Sequence, residues 1–267
     1  MPDSLPRSLF APILVGAMLV CPKAAGAFEA WPRSDEHSKT AHQQLLDKSA
    51  TGRIDLYFLG DSITRRWGCT DRAYADLMEN WRRHFYGWNA ANFGWGGDTT
   101  HNVLWRIQNG ELEGVDPKVI VLQAGANDLG WRAYDEQAGA AKVDEIVRGI
   151  RAIIAECQRL APRATILLTG VFPRADNASL APLIAQVNKR LAGVADGVRV
   201  RFLNINDRLT GNDGELIDGV TVDGLHLSGR GYDIWAEALE PHLHEVLGER
   251  ASEDLAPPPT GDPSAGD

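Results

Sequence analysis

Five short runs of apolar and β-branched residues punctuate the chain, at 54–59 (IDLYFL), 89–93 (NAANF), 118–123 (KVIVLQ), 164–169 (ATILLT) and 198–203 (VRVRFL). Each is followed by a segment whose apolar residues return every three or four positions. The plainest is 139–160, where Val143, Ile146, Val147, Ile150, Ile154 and Cys157 make one stripe and Asp144, Glu145, Arg148 and Arg151 lie opposite. The same spacing predicts helices near 71–86, 99–109, 180–195 and 229–247. Strands that alternate with helices pair in parallel, because a parallel partner is reached only through a long crossover. The expected fold class is therefore α/β, a three-layer α/β/α sandwich of about five parallel strands.

The two ends break this pattern. Residues 1–27 carry Arg7, the apolar run LFAPILVGAMLV at 9–20, and small residues at Ala25 and Ala27 before Phe28, which is the layout of a secretory signal peptide. That run is well short of the roughly 20 residues that span a bilayer. A periplasmic or secreted protein with no stable membrane insertion after cleavage is expected. Residues 249–267 (ERASEDLAPPPTGDPSAGD) are acidic, proline-rich and nearly devoid of large apolar side chains, the composition of a disordered tail. One domain, 28–248, lies between. With 44% hydrophobic and 24% charged residues the composition is that of an ordinary globular domain. The formal charge of -9, with Lys and Arg scattered, argues against a nucleic-acid partner. Beyond residue 27 only Cys69 and Cys157 remain, too few for a disulfide framework, and pairing between them stays open. His37, His42, His84, His101, His242 and His244 show no metal-ligand spacing, so neither metal nor cofactor is expected.

In an open parallel sheet, ligands bind beyond the carboxyl ends of the strands. The loops there read GDSIT (60–64), GWGGDTT (94–100), AGANDLG (124–130) and, before the last helix, VDGLHLSGRGY (222–232). Ser62 in the first is either a turn or cap residue or a nucleophile. Acyl transfer by serine also needs a base, a group that orients the base, and donors aimed at the developing oxyanion. Asp223 and His226 are three residues apart, close enough for the carboxylate to hold imidazole Nδ1 and leave Nε2 for Ser62. The alternative for His226 is a capping or buried packing role. Gly97 either exposes its backbone N–H or makes a tight turn, and Asp98 can cap a helix beginning at Thr99 or Thr100. Asn127 either donates its amide to an oxyanion or closes an Asx-turn with Asp128. At the ends of successive strands, the combination favours chemistry over coincidence.

These four blocks, GDSIT with Ser62, GWGG with Gly97, GAND with Asn127 and DGLH with Asp223 and His226, resemble in order those of the SGNH/GDSL hydrolases. The similarity runs from about residue 54 to 245. Within the family, NFGWGGDTTHNVLWRIQNGELEGVDPKVIVLQAGAND is most similar to the catalytic subunits of intracellular platelet-activating-factor acetylhydrolase. The resemblance implies a flavodoxin-like fold and a metal-free serine esterase acting on acetyl-type esters. It implies Ser62 as nucleophile, Asp223 and His226 as its triad partners, and an oxyanion hole of Ser62 N–H, Gly97 N–H and the Asn127 side chain. The chain departs from that relative in its predicted export signal and in a longer segment after Ser62 (WGCTDRAYADLMENWRRHF, 67–85).

Asp61, Ile63, Trp95, Trp131 and Leu225, in or beside the motif loops, are the candidates for substrate contact. Trp67, Trp95, Trp105 and Trp131 cluster around those loops, and indole faces stack on sugars as readily as they pack in cores. Export and an aromatic rim suggest acetylated carbohydrate, hence a small-molecule or oligosaccharide ester as partner. Lipid acyl esters, of the platelet-activating-factor acetylhydrolase or lysophospholipase kind, are the alternative. A non-catalytic secreted carbohydrate- or partner-binding module is a third reading, against which the complete set of catalytic residue types speaks. A homodimer stays open.

Overall fold

The computed structural model describes residues 27–263. Its single sheet holds β1 (Leu56–Gly60), β2 (Ala90–Gly94), β3 (Val119–Gln123), β4 (Thr165–Thr169) and β5 (Val200–Leu203), all parallel, in the order β2-β1-β3-β4-β5. Around it run α1 (Glu36–Ser49), α2 (Ser62–Arg66), α3 (Ala75–Phe85), α4 (Thr100–Arg106), α5 (Ala126–Leu129), α6 (Glu136–Leu160), α7 (Ala181–Ala192), α8 (Asn206–Leu209) and α9 (Gly229–Leu247). Helix α6 packs against α4 and α7, and α3 packs against α9, giving the expected three-layer α/β/α sandwich. Every residue of β1, β2 and β3 is buried, which is why these strands read as continuous apolar runs rather than as alternating ones. All six stripe residues of α6 are buried. The helix begins at Glu136, ahead of the stripe, because the Asp135 carboxylate accepts the Ala138 N–H and caps it.

Chain order turns back at β1, which has β2 on one side and β3 on the other. The register puts Gly60 level with both Gly94 and Gln123. The loops carrying Ser62, Gly97 and Asn127 therefore leave the sheet side by side, in the crevice where an open α/β sheet binds its ligands. Gly60 has to be glycine there, since a Cβ on it would overlap the Gln123 carbonyl oxygen and Thr64 Oγ1.

Three features differ from the sequence expectations or lie beyond them. Helix α1 has no apolar stripe; its buried positions are Ser38, Ala41, Leu45 and Lys48. Its signal was the cap, Asp35 accepting the Ser38 N–H, with Glu36 in the first turn and Lys48 in the last. Residues 249–263, expected to be disordered, form neither helix nor strand, yet they lie against the body. Leu255 O accepts the Arg53 N–H at 2.8 Å, Leu255 N–H donates to Asn89 Oδ1 at 2.7 Å, and the Asp254 carboxylate accepts the Gly87 N–H at 2.7 Å. Proline-rich chain loses little conformational freedom on docking, so a handful of such bonds is enough to hold it. Cys69 and Cys157 are both buried free thiols, and burial pushes the Cys157 thiol up to about 12, which leaves it unreactive. The predicted signal peptide lies outside the described residues, apart from Ala27.

Candidate active site

Ser62 is the first residue of α2, reached directly from β1 through Asp61. The Asp61 carboxylate caps the helix by accepting the Ile63 N–H at 2.9 Å. That turn lifts Ser62 out of the buried strand and leaves its Oγ 2.9 Å from His226 Nε2. On the other side of the ring, His226 Nδ1 lies 2.7 Å from Asp223 Oδ2. Asp223 Oδ1 accepts the backbone N–H groups of Leu225 and His226, at 3.1 and 2.8 Å, so the loop clamps its own carboxylate. Burial alone would raise the Asp223 carboxyl, but these N–H bonds and the imidazole bring it down to about 2. A carboxylate can only accept, so Nδ1 carries the ring proton and Nε2 presents its lone pair to the Ser62 hydroxyl. Burial holds His226 below the ordinary imidazole value, reinforced by the Arg66 guanidinium and opposed by the hydrogen bond that His226 donates to Asp223. The three groups make a relay able to take a proton from Ser62 near neutral pH.

The donor loops are tied to one another. Asn127 Nδ2 gives one amide hydrogen to Asp98 O at 2.9 Å and keeps a second for another acceptor. Gly97 sits at φ +76, in the left-handed region, and among the described residues no acceptor is bonded to its N–H. Asp98 does not cap α4. Its buried carboxylate accepts from Arg106 Nε at 2.7 Å, and Arg106 Nη2 reaches Gly60 O at 3.2 Å, so one guanidinium braces the end of β1 and the loop that follows β2. Burial pushes the Asp98 carboxyl up to about 6 against the pull of Arg106. Among the described residues Asn127 Oδ1 accepts no backbone N–H, so the Asx-turn with Asp128 is not formed; Asp128 instead accepts the Thr100 N–H at 3.0 Å and the Thr100 hydroxyl at 2.6 Å, fastening α5 to the start of α4.

Sequence reasoning passed over Arg174. Its buried guanidinium donates to Ala126 O at 3.2 Å, in the first residue of α5, and to Gly130 O at 3.1 Å, just past its end, and pairs with Asp176. Ala175 N–H bonds Gly224 O at 2.7 Å, so this arginine links the Asn127 turn to the Asp223–His226 loop. Nothing in the local sequence marks it, because its partners are carbonyls 44 and 48 residues away.

The GDSL-like lipase/acylhydrolase family model matches residues 58–234, which hold all four loops. The chain belongs to the GDSL-like lipase/acylhydrolase family. It is accordingly a carboxylic ester hydrolase. It is 30% identical over 230 residues to platelet-activating factor acetylhydrolase IB subunit alpha1 of Rattus norvegicus, covering 85% of this chain and 91% of that one. It is 32% identical over 217 residues to the alpha2 subunit of Homo sapiens, covering 80% and 85%. The fold is similar to that of a GDSL-like lipase from Bacteroides thetaiotaomicron, with a TM-score of 0.60 and 20% identity over 77% of this chain and 98% of that one. It is also similar to that of an acetyl-xylooligosaccharide esterase from Geobacillus stearmophilus, with a TM-score of 0.51 and 21% identity over 73% and 95%.

Not every expected substrate contact of this GDSL hydrolase faces the cleft. The side chains of Asp61 and Ile63 are fully buried, and burial pushes the Asp61 carboxyl up to about 7. Trp95 is buried as well, with its indole N–H given to Ser38 Oγ at 2.8 Å and the Arg65 guanidinium over its ring. These three support the loops instead of reaching outward. Leu225 is half-buried beside His226. Among the four tryptophans Trp67 is core, Trp105 is half-buried, and Trp131 stands 67% exposed at the end of the Asn127 turn. The Trp131 carbonyl accepts from Asn177, and the Arg174 guanidinium lies 5.9 Å from its ring. His101 is not at the cleft but clasped by the N-terminal segment.

Proposed function

We propose that this protein is an exported serine esterase that removes short acyl groups, acetyl above all, through an acyl-enzyme. The carrying observation is the line Ser62 Oγ, His226 Nε2, His226 Nδ1, Asp223 Oδ2, with hydrogen-bond separations of 2.9 and 2.7 Å. Ser62 Oγ attacks the ester carbonyl as its proton passes to His226 Nε2, and the resulting imidazolium is held by Asp223. The negative charge on the carbonyl oxygen is received by Ser62 N–H, Gly97 N–H and the free hydrogen of Asn127 Nδ2. Collapse expels the alcohol, protonated by His226, and water repeats the sequence on the acyl-Ser62 ester to release the acid. The acetyl preference rests on the acetylhydrolase relatives and on Leu225 beside the imidazole. For the alcohol, the exposed Trp131 indole favours a carbohydrate face. The platelet-activating-factor relatives favour a lipid alcohol as the second reading. Export rests on the layout of residues 1–27.

Purified protein is expected to hydrolyse p-nitrophenyl acetate faster than p-nitrophenyl octanoate, with Ser62→Ala inactive. An active Ser62→Ala protein would remove the nucleophile from this account. A panel of acetylated xylo-oligomers, acetylated monosaccharides and acetyl phospholipids then decides the alcohol, and a clear preference for the phospholipid would replace the carbohydrate reading. The pH profile follows from His226, which faces Asp223, Arg66 and Asp176. Its protonated form cannot accept from Ser62. Because its folded value is depressed, kcat/KM should hold as pH falls to 6.5 and drop only below that. Asp223, at about 2, adds no limb in the working range. An acid limb centred above pH 7 would contradict a desolvated His226 as the base.

A further inference from the structure

The oxyanion donor at Gly97 belongs to the same peptide group as the Gly96 carbonyl. In a trans peptide the C=O and N–H point in opposite directions from one plane, so fixing one aims the other. Packing does not fix this plane. A Cβ built on Gly96 would meet nothing within 4 Å, and Gly97 lies at φ +76, so the glycine pair leaves the peptide free to rotate. What holds it is Arg33, whose Nη1 donates to Gly96 O at 2.8 Å. The same guanidinium lies 3.2 Å from Asp35 and 3.9 Å from Asp98 Oδ1, a buried oxygen with no hydrogen-bond partner among the described residues. A Cβ on Gly97 would come within 2.6 Å of Arg33 Nη1.

Arg33 comes from outside the family-model match, on the segment that leads into α1. That segment is pinned to α4. The His101 ring is sandwiched between Phe28 at 4.1 Å and Trp31 at 3.5 Å; its Nδ1 meets Glu29 O, and Asn102 Nδ2 donates to Trp31 O at 3.1 Å.

We propose that Arg33 is a positioning residue for the oxyanion hole, holding the Gly96 carbonyl so that the Gly97 N–H stays aimed at the substrate oxygen. This rests on the serine-esterase reading given above. A charge-assisted bond to the carbonyl also polarises the peptide and makes its N–H a stronger donor at the moment charge develops on the substrate. Arg33 touches no reacting atom; it acts through the peptide.

The test uses the full mature chain with p-nitrophenyl acetate. Deleting an oxyanion donor outright costs about 10²–10³ in kcat, so loosening one should cost part of that, about 10- to 100-fold. Arg33→Met is expected to lose kcat in that range with KM within twofold of the parent and little change in Tm, since the side chain is a third exposed. Affinity for phenylboronic acid, whose adduct with serine carries the tetrahedral anion, should weaken by a similar factor. Arg33→Lys should recover part of kcat, and added guanidinium chloride at millimolar concentration should raise kcat of Arg33→Ala but not of Arg33→Lys. Retention of kcat within twofold by Arg33→Met, in a preparation whose parent loses activity on Ser62→Ala, would overturn the proposal while leaving the esterase intact. A loss confined to KM or to Tm would overturn it equally. Serine-independent hydrolysis by the parent would remove the esterase reading and this role with it.

Discussion

Ser62→Ala, His226→Ala and the double variant are expected to fall to one common floor, about 10⁴-fold or more below the parent in kcat/KM. In the proposed mechanism the relay works as a unit. Without His226 the Ser62 hydroxyl keeps its proton, and without Ser62 the base has nothing to deprotonate, so removing the second partner costs little more. Losses that multiply would mean that the 2.9 Å contact between Ser62 and His226 is not on the reaction path. Asp223→Asn should fall as far or somewhat less. The backbone clamp from Leu225 and His226 can still place the side chain, but an amide presents either a carbonyl or an NH2 group to Nδ1, and only the first keeps the right tautomer. Melting temperatures of the Ser62 and His226 variants should stay near that of the parent.

Asn127→Ala is expected to lower kcat by about 10²–10³ while KM for a small acetyl ester stays nearly unchanged, because in the proposed mechanism the amide is aimed at charge that exists only in the transition state. The same side chain also holds Asp98 O, so the opposite outcome has a definite form, an early-melting protein with near-normal turnover. Arg174 braces the Asn127 turn and Arg106 braces the Asp98 loop to which Asn127 is bonded, so both loops should survive the loss of a single amide bond. Measuring kcat and Tm on one preparation separates the two outcomes.

Where a residue's neighbours along the chain determine its environment, sequence alone was enough. The five apolar runs and the six-residue stripe of α6 all reappear, because parallel strands covered on both faces and a long amphipathic helix leave period and composition as direct traces. The contact between Asp223 and His226 spans three residues and was equally open to reading. Asp98 was misread because the local option, a cap on α4, lost to the long reach of Arg106, and the bond between Asp128 and the start of α4 left no trace in the local sequence. Arg33 and Arg174 were invisible for the same reason: each serves carbonyls on loops remote in sequence, and a backbone acceptor has no residue identity to find. Trp95 shows the limit of arguing from residue type, since an indole beside a motif loop turned out to be buried against α1.

The outer margin of the sheet carries one further consequence. Lys48, buried in the last turn of α1, donates to the carbonyl of Asn92 on β2 at 2.9 Å and rests over the Phe93 ring. Burial pulls its ammonium down to about 7. A foreign strand adding itself beyond β2 would have to take that carbonyl away from Lys48, leaving a buried amine without the acceptor it now uses. The lysine thus makes self-association along this border costly, so crowding, slow refolding or storage at high concentration should select other routes to aggregation before this one.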